Sequence, residues 1–82
     1  MNTYYLYVVL CCDNTLYTGI TTDVERRVKE HNTSNKGAKY TKTRRPVELL
    51  RFWEVGNRSE ATKEEYKFKK YSRKKKLEII NS

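Results

Sequence analysis

The sequence predicts an α+β fold, a three-stranded, mainly antiparallel sheet flanked by helices in the order β-β-α-β-α-α. Three observations carry that expectation. Residues 4–12 and 16–20 are rich in aromatic and β-branched side chains without helical spacing, and only Asp13, Asn14 and Thr15 separate them. Two later segments open on helix-capping patterns, Thr22 with Glu25 and Asn57 with Glu60. Between those helices, residues 47–55 form a third run of large apolar side chains.

The first two runs read as a β-hairpin. The near-continuous apolar character of 4–12 points to a strand covered on both faces, as in a sheet between helices. The turn decides which side chains share a face. A three-residue loop sets Cys12 opposite Leu16 and places Tyr7 and Tyr17 on one face, whereas a two-residue loop separates them. Gly19, two residues beyond Tyr17, is a strand glycine of the kind that admits close approach of another group. With Thr22 as the cap and Glu25 reaching back, a helix is expected to about residue 32. Val24, Val28 and His31 lie along its inward line, with Arg27 one turn before His31. Residues 33–46 hold the breakers and turn formers and read as a basic loop with room for a short helical turn. The third strand follows and ends at Gly56 and Asn57. Asn57 or Ser59 is competent to cap a helix over about 60–71, and Ser72 a last short helix bearing Leu77 and Ile80. With no repeat or low-complexity linker, residues 1–82 are expected to form one domain.

A chain of this length has one small core, because it buries only about 60% of the surface it exposes when unfolded. The formal charge of +8, from 18 Lys and Arg against 10 Asp and Glu, calls for an anionic partner, and nucleic acid leads. No run approaches the ~20 apolar residues of a membrane span. The opening Met1, Asn2 and Thr3 lack a signal-peptide layout, so a soluble, cytoplasmic monomer with no membrane partner is expected. Cys11 and Cys12, adjacent on a strand, face opposite ways and form no ordinary bridge. Even with His31 they fall short of the four ligands of a structural zinc site.

Four features bear on chemistry. The hairpin tyrosines Tyr5, Tyr7 and Tyr17 suit a sheet core, but in the three-residue-loop register Tyr7 and Tyr17 make a joint site. Arg27 and His31 on the first helix suit a surface ion pair and a packed edge; equally, a guanidinium projecting over tyrosines is built to grip a phosphate. Glu65 falls in line with Ala61 and Phe68, on the helix stripe that should meet the sheet, where a bare carboxylate is costly. It needs a partner: a lysine, Arg27, or a divalent cation that fills its other positions with water and phosphate. Finally, thirteen of the 18 basic residues lie from Lys42 onward, interleaved with tyrosines. Lys39, Tyr40, Lys42, Arg44, Arg45, Lys69, Lys70 and Arg73 are the candidate contacts to a phosphate backbone. None of them lies on a sequence-reading helix, so binding to shape or strand state is expected.

In their order and spacing, Tyr5-Leu6-Tyr7, Tyr17-Thr18-Gly19, Arg27, His31 and Glu65 resemble the GIY-YIG nuclease family. Gly37-Ala38-Lys39-Tyr40-Thr41, followed by Arg44-Arg45-Pro46-Val47-Glu48-Leu49, looks like a hallmark of its small stand-alone bacterial members. The resemblance runs from about residue 4 to residue 76 and departs from the family name at Tyr5 and Thr18. It implies the GIY-YIG fold and hydrolysis of DNA phosphodiesters with magnesium or manganese, leaving 5′-phosphate and 3′-hydroxyl ends. It further implies Tyr17 as general base or water-orienting group, Tyr7 as positioning group, Arg27 on the phosphate and Glu65 on the metal. His31 aligns where some members also carry histidine. Relatives in repair and homing add domains that choose the DNA site, so the preferred substrate stays open among flapped, branched, nicked and single-stranded DNA. Two rivals remain, a non-catalytic nucleic-acid-binding module with the same basic face and an accessory protein that docks on RNA.

Overall fold

A computed structural model of the protein describes residues 3–33, 36 and 38–82. Strand β1 (Tyr4–Leu10) is the middle of the sheet, with β2 (Leu16–Thr21) on one side and β3 (Glu48–Gly56) on the other, both antiparallel to it. The hairpin turn is longer than expected. Cys12 does not oppose Leu16; the strands part at the Leu10–Leu16 pair and residues 11–15 form the turn. Within it the Cys11 N–H donates to the Thr15 carbonyl (2.8 Å), and Asn14 takes φ +69°, a left-handed conformation that asparagine tolerates. The pairing thus moves by two residues rather than one, which leaves every side chain on its expected face. Both cysteines are free, Cys11 buried and Cys12 exposed in the turn.

Because β1 is central, both of its faces are covered, which is why its apolar run does not alternate. Leu6 and Val8 pack with Phe68 of α3 (Arg58–Lys69) and Ile80 of α4 (Arg73–Ile80). On the opposite face Tyr7 and Val9 pack with Val24 and Val28 of α1 (Val24–Thr33) and with Val47. Val8 and Val9 are both fully buried, and each contributes about 1.5–3 kcal/mol relative to exposure.

Helix α1 starts later than the Thr22–Glu25 pattern suggests. Asp23 is its cap: its carboxylate accepts from the Arg26 N–H (3.1 Å), and Thr21 Oγ1 accepts from the Asp23 N–H (3.1 Å). A carboxylate placed there satisfies an N3 amide that Thr22 does not serve. Of the segment read as a basic loop, Ser34, Asn35 and Gly37 lie outside the described residues, as do Met1 and Asn2; the helical turn is α2 (Lys39–Lys42).

Helix α3 begins two residues earlier than expected because Asn57, not Ser59, caps it. Asn57 Oδ1 accepts from the Glu60 N–H (2.9 Å) and Glu60 Oε1 from the Asn57 N–H (3.1 Å), the reciprocal pair predicted for these residues. Gly56 precedes it at φ +148°, where a Cβ would lie 2.5 Å from Glu60 Oε1, so a side chain there breaks the box. Asn57→Ala is expected to cost about 1 kcal/mol and to lower Tm by about 4–8 °C in a thermal melt. Ser72 caps α4 as expected, accepting from the Lys75 N–H (3.2 Å). Among the described residues no helix is long and apolar enough to cross a membrane.

Candidate active site

The register sets Val9 opposite Tyr17 and Tyr7 opposite Gly19, so the two tyrosines emerge on the α1 face of the β1–β2 ribbon. The glycine has a packing reason: a Cβ at Gly19 would lie 2.6 Å from Tyr7 Oη and 2.8 Å from Cζ. Tyr7 therefore lies across β2 where the strand has no side chain. Its hydroxyl sits 2.7 Å from His31 Nε2, and His31 Nδ1 sits 2.8 Å from Thr41 Oγ1. All three side chains are essentially inaccessible. Burial pushes the Tyr7 phenol up to about 12, partly opposed by the Arg27 guanidinium beside it. Burial, reinforced by Arg27, pushes His31 down to about 4. At neutral pH both are uncharged. Thr41 lies within the basic segment 33–46, and nothing local in the sequence marks it as a buried member of the site.

Arg27 reaches this cluster from α1. Its Nη1 donates to Glu30 Oε1 (3.1 Å) and to the Lys36 carbonyl (2.7 Å). Burial works against its charge, but the bonds to Glu30 and Tyr7 outweigh that and hold the guanidinium protonated. Tyr17 is half-buried. It meets the His31 ring edge-on (centroids 5.3 Å) and stacks on Tyr40 (5.7 Å, 23°). From α3, Lys69 Nζ lies 5.9 Å from the centre of the Tyr17 ring and 3.2 Å from Glu65 Oε2. The sequence demanded a partner for Glu65; here it is Lys69, one turn on.

Tyr7, Tyr17, Arg27 and His31 thus form one contiguous cluster. Glu65 joins it across Lys69, close enough for its charge to push the Tyr7 phenol up. Glu65 also lines an open groove with Thr62, Tyr66, Lys69 and Lys70. Among the described residues no three His, Cys, Asp or Glu side chains converge. A half-buried single carboxylate at a basic groove does fit magnesium or manganese held jointly with substrate phosphate and water.

The basic residues fall into two groups. Lys39, Lys42, Lys70 and Arg73 are exposed, as is Tyr40 (39%). Arg44 and Arg45 are largely occupied in holding the fold. Arg44 bonds Asp13 (2.9 Å) and the Tyr40 carbonyl (2.8 Å) and lies 4.0 Å over the Tyr40 ring, while Arg45 Nε donates to the His31 carbonyl. Bonds from Thr15 and Arg44 hold the Asp13 carboxyl below its ordinary value.

The buried imidazole makes stability depend on pH. The unfolded chain takes up a proton near 6.5, and the folded ring only near 4. The stabilisation is complete above 6.5 and is lost as pH falls toward 4, by on the order of 3 kcal/mol across the window. Urea unfolding at pH 7 and pH 4.5 checks this, with His31→Asn expected to show the flatter profile.

Residues 3–78 match the family model described as GIY-YIG catalytic domain. A UPF0213 protein of Staphylococcus haemolyticus is 52% identical over 80 residues, covering 98% of this chain and 96% of that protein. A UPF0213 protein of Haloquadratum walsbyi is also 52% identical over 80 residues, covering 96% and 89%. The solution NMR structure of a UPF0213 protein from Bacillus halodurans matches with a TM-score of 0.61 at 44% identity, over 96% of this chain and 83% of that one. That of a protein from E. faecalis matches with a TM-score of 0.63 at 43% identity, over 99% and 86%.

Proposed function

The chain belongs to the GIY-YIG catalytic domain family, and from that premise we propose that it is a metal-dependent nuclease. It hydrolyses DNA phosphodiester bonds and selects its substrate by structure or strand state rather than by sequence. One observation carries this: two phenols and a guanidinium from three separate elements cluster together, and Lys69 links that cluster to the Glu65 carboxylate, which lines a basic groove.

Their chemistry divides the work. Tyr7 is buried and locked on His31, so it serves as a fixed polar wall against which water or the scissile phosphate is placed. Tyr17 is the more accessible of the two tyrosines and has Lys69 beside its ring, so its hydroxyl is the one placed to take or orient the proton of attacking water. Arg27, held by Glu30 and Lys36, steadies charge that builds on the phosphate. Glu65 would hold magnesium or manganese. When bound, such a cation supplies Lewis-acid stabilisation of the leaving 3′ oxygen. Lys39, Lys42, Lys70 and Arg73 line up the phosphate backbone, and Tyr40 covers the site beside Tyr17.

The Lys69–Glu65 pair favours a second reading, a nucleic-acid-binding module in which the carboxylate only orders a lysine. Purified protein is to be incubated with end-labelled single-stranded, flapped and branched DNA, with magnesium, manganese or chelator. A nuclease cuts only with metal, and Glu65→Ala and Arg27→Ala each lower the rate by at least 100-fold. DNA binding without scission, indifferent to magnesium, favours the module instead.

A further inference from the structure

Thr41 is a fully buried hydroxyl on the four-residue helix α2, and its single proton has two acceptors in reach, the Ala38 carbonyl and a bare His31 Nδ1. Thr41 Oγ1 lies 2.9 Å from the Ala38 carbonyl, which accepts and never donates. Among the described residues the buried Tyr7 hydroxyl, flanked by Arg27, which only donates, has His31 Nε2 as its acceptor; the ring proton is then on Nδ1, which donates across 2.8 Å to Thr41 Oγ1 while the Thr41 proton goes to Ala38. A neutral imidazole protonated at Nδ1 is bare at Nε2, so Nε2 accepts the Tyr7 hydroxyl proton across 2.7 Å. The alternative tautomer has a partner waiting, because the Ala38 N–H points at Nδ1 from 3.4 Å, beyond normal hydrogen-bond length. Thr41, as the acceptor for Nδ1–H, thus stabilises one of two arrangements of the same four groups. In one, Tyr7 donates inward and turns its oxygen lone pairs toward Arg27 and the site. In the other, Tyr7 accepts from His31 and sends its proton outward.

We infer that Thr41 is a positioning residue of the reaction. By holding His31 in the Nδ1–H tautomer it makes the Tyr7 oxygen an acceptor toward Arg27, which keeps the guanidinium aimed at the phosphate. This extends the nuclease assignment above and rests on it for its kinetic consequence, but the tautomer itself is independent of activity. Exposed phosphate-binding side chains around it, Lys39, Tyr40 and Lys42, ride on the same turn. Thr41 thereby ties the substrate-facing segment to the buried end of the site.

The test compares wild type, Thr41→Val and Thr41→Ser by nitrogen NMR of the single histidine, beside cleavage kinetics. Wild type and Thr41→Ser are expected to show a protonated, pyrrole-type Nδ1 and a bare Nε2, and Thr41→Val the reverse. In the cleavage assay kcat falls about 10- to 100-fold in Thr41→Val with KM within a factor of about two, and Thr41→Ser restores it. A bare Nδ1 in the wild type overturns the inference, as does a Thr41→Val protein with switched nitrogens and full kcat. A protein with no cleavage in any form contradicts the nuclease assignment and leaves the nitrogen shifts to decide the tautomer by themselves. Should Thr41→Val fold poorly, Thr41→Ala, which also removes the hydroxyl, carries the same comparison.

Discussion

Gly19→Ala is expected to cost about 2 kcal/mol of stability, about 8–16 °C in Tm, and at least 100-fold in cleavage rate. The backbone there is ordinary extended strand, so the cost is not one of conformation. It arises because the added methyl would stand 2.6 Å from Tyr7 Oη, 2.8 Å from Cζ and 3.0 Å from Cε2. A tyrosine at the surface would swing aside. Tyr7 is 1% exposed and tied to His31, so moving it breaks a buried hydrogen bond and shifts the reacting geometry together. Adding Tyr7→Leu to Gly19→Ala removes the offending ring atoms, so the double variant is expected to lose less stability than the sum of the two single changes and to recover none of the activity. A thermal melt and the cleavage assay on both chains check this, and a Gly19→Ala protein as stable as wild type refutes it.

Tyr17→Phe should separate chemistry from folding. It removes one oxygen and keeps the ring that stacks on Tyr40 and meets His31. Stability is expected to stay within about 0.5 kcal/mol, while cleavage falls by about 10²- to 10⁴-fold, the range for losing a positioned acid or base. Tyr7→Phe is the contrast. It leaves His31 Nε2 without its partner in a buried place, so about 1–3 kcal/mol of stability goes with the activity. Urea unfolding beside initial rates distinguishes the pair; equal stability losses in the two variants contradict the roles assigned to them.

How far the sequence revealed this molecule depended on whether the signal was local. Asn57 with Glu60, and Ser72, were legible because a cap and its amide are three residues apart. At α1 the same pattern misled by one residue, since Thr21, Thr22 and Asp23 all bear side chains suited to capping. Only the path of the chain out of β2 puts the Asp23 carboxylate on the Arg26 amide. The shared face of Tyr7 and Tyr17 was readable as one of two registers, and the turn, longer than either loop weighed, keeps the parity that places them together. The partner of Glu65 was readable as a choice, and the i to i+4 spacing of Lys69 supplied the answer. What stayed hidden was non-local. The bonds from Tyr7 to His31 and from His31 to Thr41 span 24 and 10 residues, and Arg44 reaches 31 residues back to Asp13. From composition, Arg44 and Arg45 were indistinguishable from their neighbours Lys39 and Lys42. In the fold, the first pair anchors the loop and the second faces solvent.

The most direct trial of the claim that these groups act on one phosphate is the chemistry of the cut ends. Wild type, Tyr17→Phe and Glu65→Ala are each to be given 5′-labelled DNA in magnesium, and the products resolved by size and treated with phosphatase and ligase. A ladder or single product with 5′-phosphate and 3′-hydroxyl ends, seen only with the wild type and abolished by chelator, is the expected result. Products of the same size and ends from all three proteins, or undiminished by chelator, would show that the phenol and the carboxylate do not share a reaction.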